Sequence, residues 1–450
     1  MLAAFVVFSA LSAAFLSACD ASTPVAILPL RQYGGPQGFC DGTEPLVIVG
    51  DGITRNETNT GSDDVCVGSI ANRTFRFALC VCDTYHNSSD LITDSFSSSA
   101  GPYDAATAGS SGSFGANGDV LIEAPVDVHG SVWAGDTTST ITRPFAVSGS
   151  FMATGDLTGA GSLSVGQDAT ILGNVQLAGG LSVGGDLIVP PGATITVPDP
   201  QPTPMTGTPE VKDPCACDGG DLVDITEFID KNKDVTDNAA VGLEKNALAG
   251  FQTTELHLPC GKYYLDTIDG NDGAGLTLVA DGRVVLFVGG AINMKGPLKI
   301  ELGPDPNASI DLFLGGLLTS ENEIDIGDEN RPSKSRLYFG SAGSVELSGK
   351  IKLAGNLYAP QVRLVVSANA DVYGSLFVAS VVQSGTFRLH YDTDVQNVDN
   401  GCIADGNACR TCNDCNGQAC NGNMCGACTV DADCCAPKTC DSSSGVCVDP

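Results

Sequence analysis

Between Phe145 and Val197 apolar residues return every six positions, and that period restricts what the chain can fold into. Phe145, Phe151, Leu157, Leu163, Ala169, Val175, Leu181, Leu187 and Ala193 form one series. Two residues further on, Val147, Ala153, Gly159, Val165, Ile171, Leu177, Val183, Val189 and Ile195 form a second, and Gly stands at 149, 155, 161, 173, 179 and 185. Side chains i and i+2 share one face of a strand, and Gly before a polar residue turns the chain without steric cost. Each hexapeptide therefore reads as one short strand and one corner. Such units bury their apolar side only by stacking on one another, which is the parallel β-helix type of solenoid.

The pattern extends beyond this stretch. Val120/Ile122, Val126/Val128 and Val132/Ala134 precede it, and thirteen residues rather than twelve separate Val132 from Phe145. A one-residue slip inside a strand would turn its core face to solvent, so the extra residue predicts a loop at Asp136 to Thr140. From Pro198 to Pro214 six prolines in seventeen residues mark a semi-rigid linker. Beyond it Leu222, Ile225, Phe228 and Ile229 fall on one helical face within Asp221 to Phe251, with a second helix predicted at Leu243 to Leu248. These helices are expected to cap an open solenoid end. Strand patterns return at Leu256 and step by six again at Phe339, Val345, Ile351 and Leu357, then, after one inserted residue, at Leu364, Ala370, Leu376 and Val382. The fold class is thus mainly β: two parallel β-helix segments of the hexapeptide type, with disulfide-rich flanking modules. The divisions are a signal peptide at 1–18, a small disulfide-tied β domain at 19–113, a first solenoid at 114–197, the linker at 198–214, a helix-capped second solenoid at 215–395 and a Cys-rich module at 396–450.

Residues 1–18 are almost wholly apolar and end in small residues before Cys19, the form of an export signal. The chain has 19 Cys. Setting Cys19 aside leaves an even number, as full pairing in an oxidising compartment requires. The disulfide candidates are Cys40, Cys66, Cys80, Cys82, Cys215, Cys217, Cys260, Cys402, Cys409, Cys412, Cys415, Cys420, Cys425, Cys428, Cys434, Cys435, Cys440 and Cys447, with connectivity left open. Only Cys215, Cys217 and Cys260 lie in the middle region and eleven in the tail, so at least one bridge is expected to join tail and middle. The net charge of −31 disfavours nucleic acid and anionic lipid as electrostatic partners.

Candidate chemistry is sparse. Acidic clusters occur at Asp266/Asp269/Asp272, Glu321/Glu323/Asp325 and Asp392/Asp394, all in expected corners or loops where carboxylates are ordinary. Asp269 to Gly273 has oxygen ligands for Ca²⁺ but not the spacing of a known Ca²⁺ loop, and a solvated turn is the simpler reading. The four His (86, 129, 257 and 390) show no zinc spacing, and His390 reads as a hydrogen-bonded residue closing the second solenoid. Trp133 is expected to face outward and offer an exposed indole. Neither a cofactor nor a metal is expected, and no catalytic residue stands out.

Leu16-Ser17-Ala18-Cys19 resembles the lipobox of bacterial lipoproteins, which implies acylation of Cys19 and a membrane anchor. The Gly-Asp-Leu and Gly-Ser-Leu hexapeptides of 119–197 resemble bactofilins and related polymer-forming β-helix proteins. Leu357-Tyr-Ala-Pro360, Val372-Tyr-Gly-Ser375 and His390-Tyr-Asp392 are similar to an uncharacterised domain family of exported bacterial surface proteins. Together these imply a non-catalytic, lipid-anchored structural or interaction protein at the outer membrane or cell surface: a rod that displays a Cys-rich tip or associates end to end. The alternative is a β-helix that binds or cleaves polysaccharide. The partners expected are the membrane, through the N-terminal lipid, and a surface polysaccharide or protein.

Overall fold

The computed structural model describes residues 26–31, 34–36, 39–40, 47–49, 64–66, 70–71, 74–135, 138–209, 211–219, 222–348, 351–397, 419–421 and 424–448. Its body is a parallel β-solenoid, as the hexapeptide period requires. One face is a thirteen-stranded sheet. It begins at Ala26–Ile27 and continues through Thr254–Leu258, Leu276–Ala280, Leu298–Leu302, Ile324–Gly327, Ile351–Ala354, Ala370–Tyr373 and Phe387–Asp392. It then passes to Leu91–Phe96, Val126–Val128, Phe145–Val147, Leu163–Val165 and Leu181–Val183. Strand Phe387–Asp392 pairs in parallel with Leu91–Phe96, matching Phe387 to Leu91 and His390 to Asp94. The two expected solenoids are therefore one rod, and the half that comes second in sequence comes first in space.

Twelve strand-to-strand steps of roughly 4.8 Å give the rod a length of about 58 Å. In the regular half the coil is eighteen residues, with Phe145 opposite Leu163 and Leu163 opposite Leu181. The polar residue of each corner has its own task. Asp156 Oδ1 accepts the backbone N–H of Asn174 at 2.6 Å, Asn174 Oδ1 that of Thr194 at 2.9 Å and Asp168 Oδ1 that of Asp186 at 2.8 Å, so one coil's side chain satisfies the next coil's backbone. The corner glycines are required by close approach: a Cβ on Gly173 would lie 2.4 Å from the carbonyl carbon of Gly155.

The regular half starts earlier than its period suggests. Strands Leu79–Val81, Tyr85–Asn87 and Leu91–Phe96 form its first coil, which corrects the separate β domain expected over 19–113. Asn87 and Thr93 occupy inward positions there and are fully buried, which hid the pattern. The extra residue near Asp136 also behaves differently. Thr138–Ile141 is a strand paired with Asp156–Gly159, so the insertion lies ahead of residue 138 rather than in a loop reaching Thr140. In the other half Val381, not Val382, points inward, opposite Leu364 and Tyr85.

The largest departure concerns the proline linker. Along the twenty-stranded sheet, one outward position reads Tyr264, Phe287, Phe313, Tyr338, Tyr358, Phe377, Cys80, Gly115, Trp133, Met152, Thr170, Ile188 and Met205 in register. Phe287 and Phe313 stack at 5.3 Å, and Phe313 and Tyr338 at 4.6 Å. Such an apolar outer row needs a cover, and the described residues among 204–232 run back along it as a strap. Pro204–Thr206 adds a strand to Leu187–Val189, Pro214 packs over Gly115, and the Val223 N–H bonds to Tyr358 Oη at 3.0 Å. Helix Ile225–Asn232 then lays Phe228 against Phe313 at 6.3 Å, and its Ile225 and Ile229 are buried too. Asp224 caps the helix by accepting the Glu227 N–H at 2.9 Å. This helix lies on the flank rather than over an end, and Leu243 to Leu248 is a set of turns, whereas Asn238–Val241 is helical. Trp133 faces outward as expected but is 4% exposed, covered by Phe77 at 5.8 Å and the strap.

Two disulfides clasp the strap, Cys80–Cys215 and Cys82–Cys217, and Cys40–Cys260 ties the N-terminal segment to the rod's first coil. All three middle cysteines thus pair with the N-terminal region, which overturns the expected bridge from middle to tail. In the tail Cys428 pairs with Cys440 and Cys434 with Cys447, and Cys435 is also disulfide-bonded. Cys19, Cys402, Cys409, Cys412 and Cys415 lie outside the described residues, as do the side chains of Cys66, Cys420 and Cys425. The described part of the tail touches the strap, where Lys212 Nζ donates to the Ala432 carbonyl at 3.1 Å, and Ala436 packs against the main core. It sits on the flank of the rod rather than at a tip.

Candidate functional site

Towards the place where the two halves meet, the thirteen-stranded sheet carries rows of charged and aromatic side chains on its outer face. Its outward rows follow from register. Lys299 lies opposite Asp325, Asp325 opposite Lys352, and Asp371 opposite Arg388, an alternation of sign that favours cross-strand attraction. Arg388 reaches Asp371 at 3.3 Å, and Lys352 pairs with Glu329 at 2.8 Å. A neighbouring row places Tyr373, His390 and Asp94 side by side.

The segment after Leu91–Phe96 arches over this row. Tyr103 lays its ring 4.0 Å from the His390 ring and 5.7 Å from Tyr373, and donates its hydroxyl to Asp94 Oδ2 at 2.7 Å. The other Asp94 oxygen meets His390 Nδ1 at 2.8 Å. Both carboxylate oxygens are thereby engaged. Burial, then the Asp94 carboxylate, push the Tyr103 hydroxyl well above its ordinary pKa, so it remains a donor. Burial, Glu329 and Asp371 raise Tyr373 likewise. The loop base is held by the expected acidic pair. Asp392, fully buried, accepts the N–H of Ser98 at 3.0 Å and of Ser333 at 2.9 Å. Asp394 accepts from Ser97 Oγ at 3.0 Å, Ser98 Oγ at 3.1 Å and the Ser99 N–H.

Burial works to raise the Asp394 carboxyl, but the serine hydrogen bonds outweigh it and hold its pKa below the ordinary value. A depressed folded-state pKa contributes stability above the unfolded pKa of about 3.9 and loses it as pH falls through the folded value. The hydrogen-exchange protection factor at Ser99 is expected to drop between about pH 5 and about pH 3, while those of Phe145–Val147 hold. Asp394→Asn should leave Ser99, whose N–H Asp394 accepts, weakly protected at both pH values; unchanged, pH-dependent protection of Ser99 in that variant would rule the account out.

The remaining candidates are placed as follows. His86 meets Glu123 at 2.8 Å, His129 meets Asp127 at 3.4 Å, and His257 lies between Glu255 at 2.7 Å and Asp281 at 3.1 Å. The hydrogen bond that the imidazole donates to the Glu255 carboxylate leads in raising the His257 pKa. Asp272 pairs with Lys295 of the next coil at 2.6 Å, and the Asn271 amide donates to the Gly250 carbonyl at 2.7 Å, so the Asp269 to Gly273 turn is tied into the corner stack. Glu321 and Glu323 are exposed at the corner before Asp325. The sulfurs of Cys428, Cys434 and Cys447 lie close together, but as disulfides they are not thiolate ligands.

The buried polar groups at this junction are the functional residues that periodicity missed. Gln383 Nε2 donates to the carbonyls of Ser89 at 3.0 Å, Asp90 at 2.7 Å and Gly385 at 3.0 Å, and its Oε1 accepts from Tyr85 at 2.7 Å. Asn87 donates to the carbonyls of Ser89 and Ala124 and accepts the N–H of Glu123. The clasp had a signal in the sequence: Cys80-x-Cys82 and Cys215-x-Cys217 share one spacing, as two parallel bridges between extended segments require. Among the described residues no helix is long and apolar enough to cross a membrane.

Compared with known proteins, the chain matches one family profile, described as a domain of unknown function (DUF7305), over residues 216–398. No curated protein and no solved structure matches it. That stretch is the spatially first half of the rod together with the helix on its flank, and over it the chain is similar to an uncharacterised domain family.

Proposed function

We propose that the protein is a non-catalytic, lipid-anchored scaffold of the cell surface, with Cys19 acylated and the solenoid as its rigid body. The observation that carries this reading is the clasped rod: a sheet unbroken over thirteen strands, with its return strap fastened by two disulfides. Disulfides of this kind belong to oxidising, extracytoplasmic compartments, in keeping with the export signal. In the charged row of the sheet Arg388 pairs with Asp371 across strands and Lys352 with Glu329, so these groups are held by one another. The hexapeptides resemble those of bactofilins, but end-to-end assembly finds little support at the end made by Pro204–Thr206, because Pro204 brings no N–H to that edge. The reading as a polysaccharide-binding or polysaccharide-cleaving β-helix has one observation behind it, the half-exposed Tyr103 and Tyr373 beside Asp371 and Arg388. Mass spectrometry of the mature protein should find a diacylated or triacylated Cys19, and incubation with neutral and acidic polysaccharides should release no new reducing ends. An unmodified N-terminus elsewhere removes the anchor, and released reducing ends remove the scaffold.

A further inference from the structure

The two broad sheets differ in what lies outside them. The outer row of the twenty-stranded sheet is under the strap, whereas the charged row of the thirteen-stranded sheet stays open: Lys299, Lys352 and Asp371 are exposed, and Asp325 and Arg388 half-buried. These five stand on successive strands, with Lys299 opposite Asp325, Asp325 opposite Lys352 and Asp371 opposite Arg388. Leu353 opposite Val372 puts Lys352 beside Asp371. The row therefore presents a hydrogen-bond donor, then an acceptor, at successive strand steps of roughly 4.8 Å.

Little of this capacity is used within the protein. Lys299 and Asp325 make no hydrogen bond or ion pair among the described residues. Arg388 spends one N–H on Asp371 at 3.3 Å and Lys352 reaches Glu329 at 2.8 Å, both in half-exposed pairs that hold their members only weakly. At the Arg388 end stand two aromatic rings. Tyr373 follows Asp371 by two residues on one strand, so it leaves the same face, and it is half-buried. Tyr103 lies on His390 with one side of its ring, and its bond to Asp94, with the Asp392 and Asp394 contacts at the loop base, fixes it before any ligand arrives.

Charge selects the occupant. With Glu301 and Glu329 beside the row, the strip holds three bases and four acids, close to balance in a chain of net charge −31. A polyanion is repelled by the field of the whole chain, and a polycation gains no more here than elsewhere on so acidic a surface. A polyhydroxyl chain suits the strip, because every O–H both donates and accepts. Its sugar rings offer apolar C–H faces to tyrosine, and in an extended chain one ring advances by about one strand step, roughly 4.8 Å. We propose that the charged row from Lys299 to Arg388, with Tyr103 and Tyr373 at one end, is a binding face for a single neutral polysaccharide chain laid along the rod axis, one sugar to a strand. The proposal rests on the binding half of the second reading above and needs neither its cleaving half nor a lipid at Cys19.

The test is native electrophoresis of the full-length protein in detergent, through gels that contain hydroxyethylcellulose or galactomannan as extended neutral chains, or polygalacturonate as an acidic one. The neutral polymers should retard the wild type and polygalacturonate should not. Tyr373→Ala should weaken the apparent affinity about tenfold, as the loss of one aromatic contact does. Asp371→Ala with Arg388→Ala removes one acid and one base, so net charge and free mobility stay as they were; it should weaken retardation as much, both variants keeping the wild-type circular dichroism. Retardation that is unchanged in both folded variants, or that polygalacturonate alone produces, overturns this face and leaves polysaccharide binding standing. Retardation by none of the polymers overturns both. New reducing ends released during the run overturn the non-catalytic scaffold and not the face.

Discussion

Arg336→Met is expected to destabilise the protein by about 3–5 kcal/mol, the cost of leaving one member of a buried ion pair behind. Arg336 is 1% exposed and Asp311 0%. Nε and Nη2 of the arginine meet the two carboxylate oxygens at 2.6 and 2.7 Å, and Nη1 donates to the Ser333 carbonyl. Burial works against the guanidinium charge, but Asp311 outweighs it and holds the arginine above its ordinary pKa. The pair sits on the outward side of the twenty-stranded sheet, beside the aromatic row. Without the guanidinium the Asp311 carboxylate is stranded. Adding Asp311→Leu to Arg336→Met should recover most of the loss, because the penalty belongs to the unpaired charge and not to the missing attraction. Urea unfolding of the two variants decides it, and a double variant no more stable than the single one would show that the pair's worth lies elsewhere.

Gln383→Leu is expected to cost about 3 kcal/mol or more, since each buried group left without a partner costs about 1–3 kcal/mol. The substitution nearly preserves volume while stripping bonds from the Tyr85 hydroxyl and from three backbone carbonyls. Its effect should also be local in a telling way. Gln383 stands where the halves stack, so hydrogen exchange should speed first in Leu91–Phe96 and Phe387–Asp392, ahead of Leu163–Val165. Uniform loss of protection along the rod would contradict a role for Gln383 in holding the halves together.

The same residues explain how far the sequence could be read. The period from Phe145 to Val197 was legible because its inward positions are almost all apolar, and the solenoid follows from it. The first coil was not, because Asn87, Thr93 and, on the facing coil, Gln383 take inward positions and obtain their stability from hydrogen bonds that leave no hydropathy signal. Periodicity also states that coils stack without stating which coil meets which, so the inverted order of the halves was beyond it. The cover over the outer row was partly visible: Val284 to Val288 is apolar at every position, which in a strand means burial on both faces. For the junction patch, His390 as a hydrogen-bonded residue could be read from the chain, whereas its partner Asp94 lies 296 residues away and Tyr103 arrives on a loop without pattern.

The meeting of Leu91 with Phe387 also sets an order of events during synthesis. The regular half emerges first and can stack on itself, yet its opening coil has no neighbour on one side until the last strand of the other half is made. A ribosome delivers chain from the N-terminus, so this exposed edge waits through most of translation, and the longest-range pairings that close it are also the slowest to find. The two clasp bridges can form sooner, once Cys215 and Cys217 are out, and they fold the strap back over the waiting coil. The oldest part of the rod is thus finished by the youngest, and any factor that escorts the nascent chain has to shield that edge until residue 392 arrives.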